Sequence, residues 1–288
     1  MTSTRRFPFS IAALSLVLAS GVLAQQLTLP NKPDSLKFGV IGDTGTGDKH
    51  EYAVAKQLEG LRSQFKYEFV VMMGDNNYSG EGSLKRVFDE PYKPLIDAGV
   101  KFYAALGNHD TPNQRNYQVF NMGGKQYYTF RPKLGVRFFA LDSNYMSPEQ
   151  LTWLENELKQ SGSDWKIAFF HHPLYSSGGT HGSDVALREK LEPLFLKYSV
   201  DVVLSGHDHF YERIKPQKGI QYWVIGGSAK LRNGDINTTN LTEKGFDTGY
   251  SFMAVEIAGD EWHFQTISDQ GKTVDAGVIK RRATPTSK

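Results

Sequence analysis

The chain has 288 residues, 39% of them hydrophobic and 22% charged, with no cysteine and a formal net charge of +2. That length and composition suit a folded domain with a substantial core, and the missing thiols exclude a disulfide framework, a zinc ribbon, an iron–sulfur cluster and a cysteine nucleophile. No run of Lys and Arg is interleaved with aromatic residues, so neither nucleic acid nor a lipid surface is expected as a partner.

The first segment reads as a targeting sequence. Arg5 and Arg6 precede an uncharged stretch from Phe7 to Ala19, and Val22 and Ala24 are small residues at the two positions a signal peptidase reads. A secretory signal peptide over residues 1–24, cleaved before Gln25, is expected, which places the mature protein outside the cell or in a periplasm. Arg5-Arg6 leaves the export route open between the general and the twin-arginine pathways, although Pro8 sits where the latter wants a large apolar residue. Cleavage removes two Arg and no acid, so the +2 belongs to the leader and the mature chain is formally neutral. Residues 25–34 read as an N-terminal extension, 35–283 as one domain and 284–288 as a polar tail.

Short apolar runs then alternate with helical patterns. Leu36 to Ile41 reads as a strand, followed by Val54, Leu58, Leu61 and Phe65 at helical spacing. Phe69 to Met73 and Phe102 to Leu106 are further strands, as is Val136 to Leu141. Ser147-Pro148-Glu149-Gln150 has the form of a capping box with Pro at the first helical position, opening a helix that carries Leu151, Leu154 and Leu158. Ile167 to Phe170 is a strand, Leu187, Leu191, Leu194 and Phe195 line a helix, and Val200 to Leu204 is a strand. Gln221 to Ile225, Tyr250 to Ile257 and Trp262 to Ile267 are strand-like without helical partners, and Asn233 to Asn240 is a polar surface loop. Near-continuous apolar strands between amphipathic helices predict an α/β protein. The last strands are expected to extend a second sheet, giving a layered α/β/β/α sandwich with mixed sheets.

The polar residues of interest follow the strands. Gly42-Asp43, Gly74-Asp75, Gly107-Asn108-His109, His171-His172 and Gly206-His207-Asp208-His209 each end an apolar run, and five of the eight histidines lie in these segments. Open α/β sheets bind ligands at the carboxyl ends of their strands, and glycine there lets backbone approach a bound group. Asp43, Asp75, Asn108, His171, His207 and His209 are therefore expected to converge. His207 and His209 point the same way from an extended segment. Carboxylates with imidazoles suit Fe, Zn or Mn, and without cysteine the donors must be of this kind. A dinucleotide fingerprint at Gly45-Thr46-Gly47 fails because His50 replaces its last glycine, and no phosphate-cradling Gly-x-x-x-x-Gly-Lys loop is present.

The ordered series of motifs, from Leu36 to Arg213, resembles the calcineurin-like metallophosphoesterases. Gly74-Asp75-Asn76-Asn77-Tyr78 and Gly206-His207-Asp208-His209-Phe210-Tyr211-Glu212-Arg213 make it similar to the purple acid phosphatases of the small, single-domain type. The resemblance implies hydrolysis of phosphate monoesters at acidic pH by a dinuclear centre, Fe(III) with Fe(II), Zn(II) or Mn(II), using metal-bound hydroxide. It implies a ferric site of Asp43, Tyr78, His209 and bridging Asp75, and a divalent site of Asn108, His171, His207 and the same Asp75. It also implies that His109 contacts the phosphate or leaving group and that His181 lies beside the substrate. His172 occupies a position that varies in the family and is expected outside the ligand set. The partners implied are small phosphoesters. Two other readings remain open here: a nucleotidase or phosphodiesterase in which Tyr78 is no ligand, and a secreted binder or interaction protein on a phosphatase scaffold.

Overall fold

The computed structural model describes Met1 and residues 27–80 and 82–282. The expected signal peptide apart from Met1, the first two residues of the N-terminal extension, Ala283 and the polar tail lie outside them. The elements run in chain order as β1 (Leu36–Ile41), α1 (Lys49–Leu61), β2 (Phe69–Met72), α2 (Glu90–Asp97), β3 (Lys101–Ala104), β4 (Tyr128–Lys133), β5 (Val136–Ala140), α3 (Pro148–Gln160), β6 (Trp165–Phe169), α4 (Val185–Lys197), β7 (Val202–Ser205), β8 (Tyr211–Ile214), β9 (Gln221–Ile225), β10 (Thr242–Phe246), β11 (Ser251–Ala258), β12 (Glu261–Ser268) and β13 (Thr273–Lys280).

They build two mixed sheets, of order β13-β12-β11-β1-β2-β3 and β10-β8-β9-β7-β6-β5-β4. The inner faces meet through aromatic rings: Phe38 of β1 packs edge-on to Phe138 of β5 at 5.2 Å, and Trp223 of β9 stacks on Trp262 of β12 at 5.8 Å. Such pairs add about 1 kcal/mol each beyond their area. On the outer face of the first sheet, α1 buries Val54, Leu58 and Leu61, while Phe65 is buried in the turn beyond the helix rather than in it. On the outer face of the second, Leu154 and Leu158 of α3 and Leu187, Leu191 and Phe195 of α4 form a separate cluster with Phe139, Phe170 and Val203. The α/β/β/α sandwich expected from the sequence is the one observed. The Ser147 hydroxyl accepts from the Gln150 N–H at the start of α3, and the Asp48 carboxylate caps α1.

One placement differs from expectation. Tyr250–Ile257 and Trp262–Ile267 do not extend the second sheet; as β11 and β12 they continue the first, with β11 antiparallel to β1. Only Gln221–Ile225, as β9, joins the second sheet, parallel to β7. Among the described residues no helix is long and apolar enough to cross a membrane.

The parallel strands position the site. In the first sheet Ile41 of β1, Met72 of β2 and Ala104 of β3 lie in register. In the second sheet Ala140 of β5 lies opposite Phe169 of β6, and Leu204 of β7 opposite both Phe169 and Trp223. The loops after these strands therefore leave from a common edge. They are tied across the gap between sheets: His207 N–H donates to Asp43 Oδ2 at 3.0 Å, and Gly42 and Ser228 exchange two hydrogen bonds at 3.2 Å.

Candidate metal centre

Asp43, Asp75 and His207 stand immediately after Gly and have left-handed backbones, with φ of +56°, +52° and +71°. Left-handed non-glycine residues cost about 1 kcal/mol or more each and collect at functional sites. The turn brings each side chain back over the strand end that carries it. The preceding glycines make room for this. At Gly74, whose φ is +89°, a Cβ would lie 2.7 Å from the Gly107 nitrogen; at Gly206 it would lie 2.4 Å from Asp43 Oδ2.

Two neighbouring groups of donors result. In the first, the Tyr78 hydroxyl lies 2.8 Å from Asp75 Oδ2, 3.1 Å from Asp43 Oδ1 and 3.3 Å from His209 Nε2, and His209 Nε2 is 3.4 Å from Asp43 Oδ1. In the second, His171 Nε2 lies 3.0 Å from Asn108 Oδ1, 3.0 Å from His207 Nδ1 and 3.4 Å from Asp75 Oδ1. Asp75 faces both groups, one oxygen toward each. All seven residues expected to be donors are thus brought together.

The tautomers are set from outside. His171 Nδ1 lies 2.9 Å from the Met73 carbonyl, which can only accept, so Nδ1 carries the proton and Nε2 offers a lone pair to the centre. Burial holds the His171 pKa well below its ordinary value. Burial and the neighbouring His171 push His207 down to about 2; burial with Arg232 and Lys230 pushes His209 down to about 3. All three imidazoles therefore stay neutral in acid and able to ligate. Burial, with the adjacent Asp75 carboxylate, raises the Asp43 pKa well above the usual carboxylate range. Burial and both carboxylates raise the Tyr78 phenol too. Paired buried acids beside neutral imidazoles are an arrangement that a bound cation stabilises. The oxygen-rich group around Tyr78 fits a hard trivalent ion, and the group with two imidazoles fits a divalent one.

The two residues expected to meet substrate are exposed at the mouth. His109 donates its backbone N–H to Asp75 Oδ1 at 2.9 Å, and its ring lies 4.7 Å from that of Tyr78. His181 stacks on His207 with ring centroids 4.1 Å apart. Its loop is held from below, where Asp208 accepts from Ser176 Oγ and from Gly182 N–H, and from the side, where Thr180 donates to Asp235 at 2.6 Å.

His172, expected outside the ligand set, packs 4.5 Å from the His207 ring and can join His171 and His207 around one point. Other neighbours were not read from the sequence. Lys230 lies 4.6 Å from the Tyr78 ring centroid, and Arg232 donates its N–H to the His209 carbonyl at 3.0 Å. Both cations follow Gly226-Gly227 at the end of β9, the same strand-then-glycine signal that marks the other loops. Asp110 accepts from Gly107 N–H and from Asn76, and burial raises its pKa to about 7. It is a brace for the turn that carries Asn108.

Known proteins resemble the chain over most of its length. "Purple acid phosphatase 4" of Arabidopsis thaliana is 29% identical over 87% of this chain and 86% of its own length. Among solved structures, GAP50, named as the anchor in the inner membrane complex of Plasmodium, superposes with a TM-score of 0.78 at 19% identity, covering 88% of this chain and 90% of that one. The purple acid phosphatase PPD1 of yellow lupin gives 0.71 at 20% identity, over 88% of this chain and 55% of that one. The model of the calcineurin-like phosphoesterases matches residues 36–211, the span that carries every strand-end donor described above, and the chain belongs to that family.

Proposed function

We propose that the chain is a dinuclear acid phosphatase of the purple type, hydrolysing small phosphate monoesters. The observation that carries this reading is the convergence of the Tyr78 hydroxyl on Asp43, Asp75 and His209, all within 3.3 Å of it. A phosphodiesterase-like centre without a tyrosinate gives no reason for a buried phenol there. An interaction protein on the same scaffold gives no reason for two complete donor groups.

In this reading Asp43, Tyr78, His209 and Asp75 hold Fe(III), and Asn108, His171, His207 and Asp75 hold Fe(II), Zn(II) or Mn(II). When bound, the pair supplies Lewis acidity, a nucleophile in acid, and positive charge for the phosphate. The protein holds its imidazoles unprotonated at the pH where the enzyme works, fixes Asp75 between the two groups, and keeps His109 and His181 at the open side. There a ring N–H can donate to the departing oxygen.

The test is optical and kinetic. Purified protein loaded with iron is expected to be purple or pink and to hydrolyse 4-nitrophenyl phosphate at acidic pH, and Tyr78→Phe is expected to lose the visible band. Colourless protein with full iron occupancy refutes the tyrosinate assignment. Export belongs to the same proposal: N-terminal sequencing of protein recovered outside the cytoplasm is expected to begin at Gln25, and retention of residues 1–24 there would overturn it.

A further inference from the structure

Beside the donor groups lies a cavity of about 410 Å³. Its walls come from three strand-end loops: Asn108 after β3, Asp142, Asn144 and Tyr145 after β5, and His172 after β6, with Asp184 closing it at the start of α4. Asn108 belongs at once to this wall and to the divalent group, and His172 packs on His207 of that group, so the cavity adjoins the donors directly. Its size is that of a small-molecule site. Accepting the proposed function, we infer that this cavity seats the alcohol portion of the ester and selects alcohols that are neutral or cationic over those carrying a second anionic group.

The cavity gives the place and its wall gives the selectivity. Two carboxylates, Asp142 and Asp184, face it, the Asp110 carboxyl being turned to Gly107 and Asn76, and among the described residues no Lys or Arg lines it. Arg115 is held by Gln126 of the wall, Nη1 donating to Oε1 at 3.1 Å. The carboxylates cannot swing away. Asp142 accepts from Asn144 N–H at 3.0 Å and from Gln126 Nε2 at 2.9 Å, and Asp184 caps α4 through Leu187 N–H at 2.9 Å. His172 is fixed by Ser143 Oγ, 2.9 Å from its Nδ1. Tyr145 stands 72% exposed at the rim and offers a ring face to an apolar or sugar-like group. The opposite flank, with Lys230 over Tyr78, has the reverse charge. A phosphoester is thereby oriented, its anionic head toward the cationic flank and its alcohol toward the carboxylates. Hydrolysis breaks the P–O bond to that alcohol, forms one to the oxygen of water, and leaves the alcohol with a proton.

Two phosphonates that differ only in the charge of their tails test this without needing turnover. Calorimetry on metal-loaded protein is expected to show 2-aminoethylphosphonate binding about tenfold or more tighter than 2-carboxyethylphosphonate, with the gap narrowing in salt. Asp184→Asn keeps the helix cap and removes one charge, and is expected to reduce the preference about threefold. The kcat/KM ratio of O-phosphoethanolamine to 2-phosphoglycolate is expected to fall in the same variant. Equal affinities, a preference for the carboxylate, no binding of either phosphonate, or a ratio unmoved by Asp184→Asn would overturn the assignment. Amine preference without hydrolysis of any ester supports the cavity and refutes the phosphatase. Hydrolysis of 4-nitrophenyl phosphate without amine preference refutes the cavity and keeps the phosphatase.

Discussion

Asp75→Asn is expected to lower kcat for 4-nitrophenyl phosphate by about 10³-fold or more while raising the melting temperature of the metal-free protein. Both effects have one cause. Asp75 presents Oδ2 to Tyr78 and Oδ1 to His171 and the His109 N–H, so it is the single side chain that serves both donor groups. Replacing it removes an anionic donor from each side, and a loss of about 4 kcal/mol in transition-state stabilisation corresponds to that factor. The backbone has no objection, because Asn tolerates the left-handed φ of +52° that Asp75 adopts. The amide can still accept from the His109 N–H and can meet the Tyr78 oxygen with a donor. In the metal-free protein, however, Asp75 is one of the reasons the buried Asp43 resists ionisation. Removing that like charge relieves either repulsion or the proton uptake that avoids it. About 1 kcal/mol of relief would raise Tm by roughly 2–4 °C in a chain of this size. Metal analysis should show at most one ion retained per chain. A metal-free Tm that falls below wild type would mean that Asp75 stabilises the fold by itself, and unchanged turnover would remove it from the centre.

That opposition between function and stability explains which parts were legible in the sequence. The donors follow buried parallel strands, and those strands are the most readable elements because they are apolar on both faces; Leu36–Ile41 and Gln221–Ile225 were placed to the residue. A Gly-Asp or Gly-His pair directly after such a run breaks the local rule that a strand end should be an ordinary turn, and the break marks the site. The unread elements are those whose patterns are weakened by solvent or by proline. Helix α2 carries Pro91 and Pro94, and in eight residues only Tyr92, Leu95 and Ile96 add ordinary apolar side chains to its packed face. Strands β10 and β13 are outer strands of their sheets, with at most one buried residue each, and no strand is expected there from the sequence. Strand β4 contains Pro132, and its pairing with β5 is irregular between Phe130 and Lys133. The sheet to which β11 and β12 belong is a matter of pairing partners, which periodicity does not encode. For the same reason Lys230, Arg232 and the carboxylate-lined cavity became visible only when loops from different strands stood side by side.

His207→Asn is the second large effect, and its sign depends on pH. His207 is half-buried against His171, and its pKa is pushed down from the usual 6.5 to about 2. In the unfolded chain the same imidazole takes a proton as pH drops below about 6.5. Between these values the unfolded state binds the extra proton, so metal-free wild type loses stability as pH falls through this window and regains it as pH rises. The loss from this one group is about 1.4 kcal/mol per pH unit, or about 3 kcal/mol at pH 4. Asn carries no such penalty and is at ease at the φ of +71° found there. Relative to wild type, the metal-free variant is therefore expected to gain about 10 °C in Tm between pH 7 and pH 4. Groups not coupled to His207, among them Asp110 with its pKa raised to about 7, bend both curves alike and cancel in the difference. The same substitution takes an imidazole from the divalent group and the stacking partner from His181, and turnover is expected to fall by about 10²-fold or more. Thermal scans of the two metal-free proteins across pH 4–7 decide the matter. Parallel Tm curves would show that His207 titrates normally and is not held as a ready neutral donor.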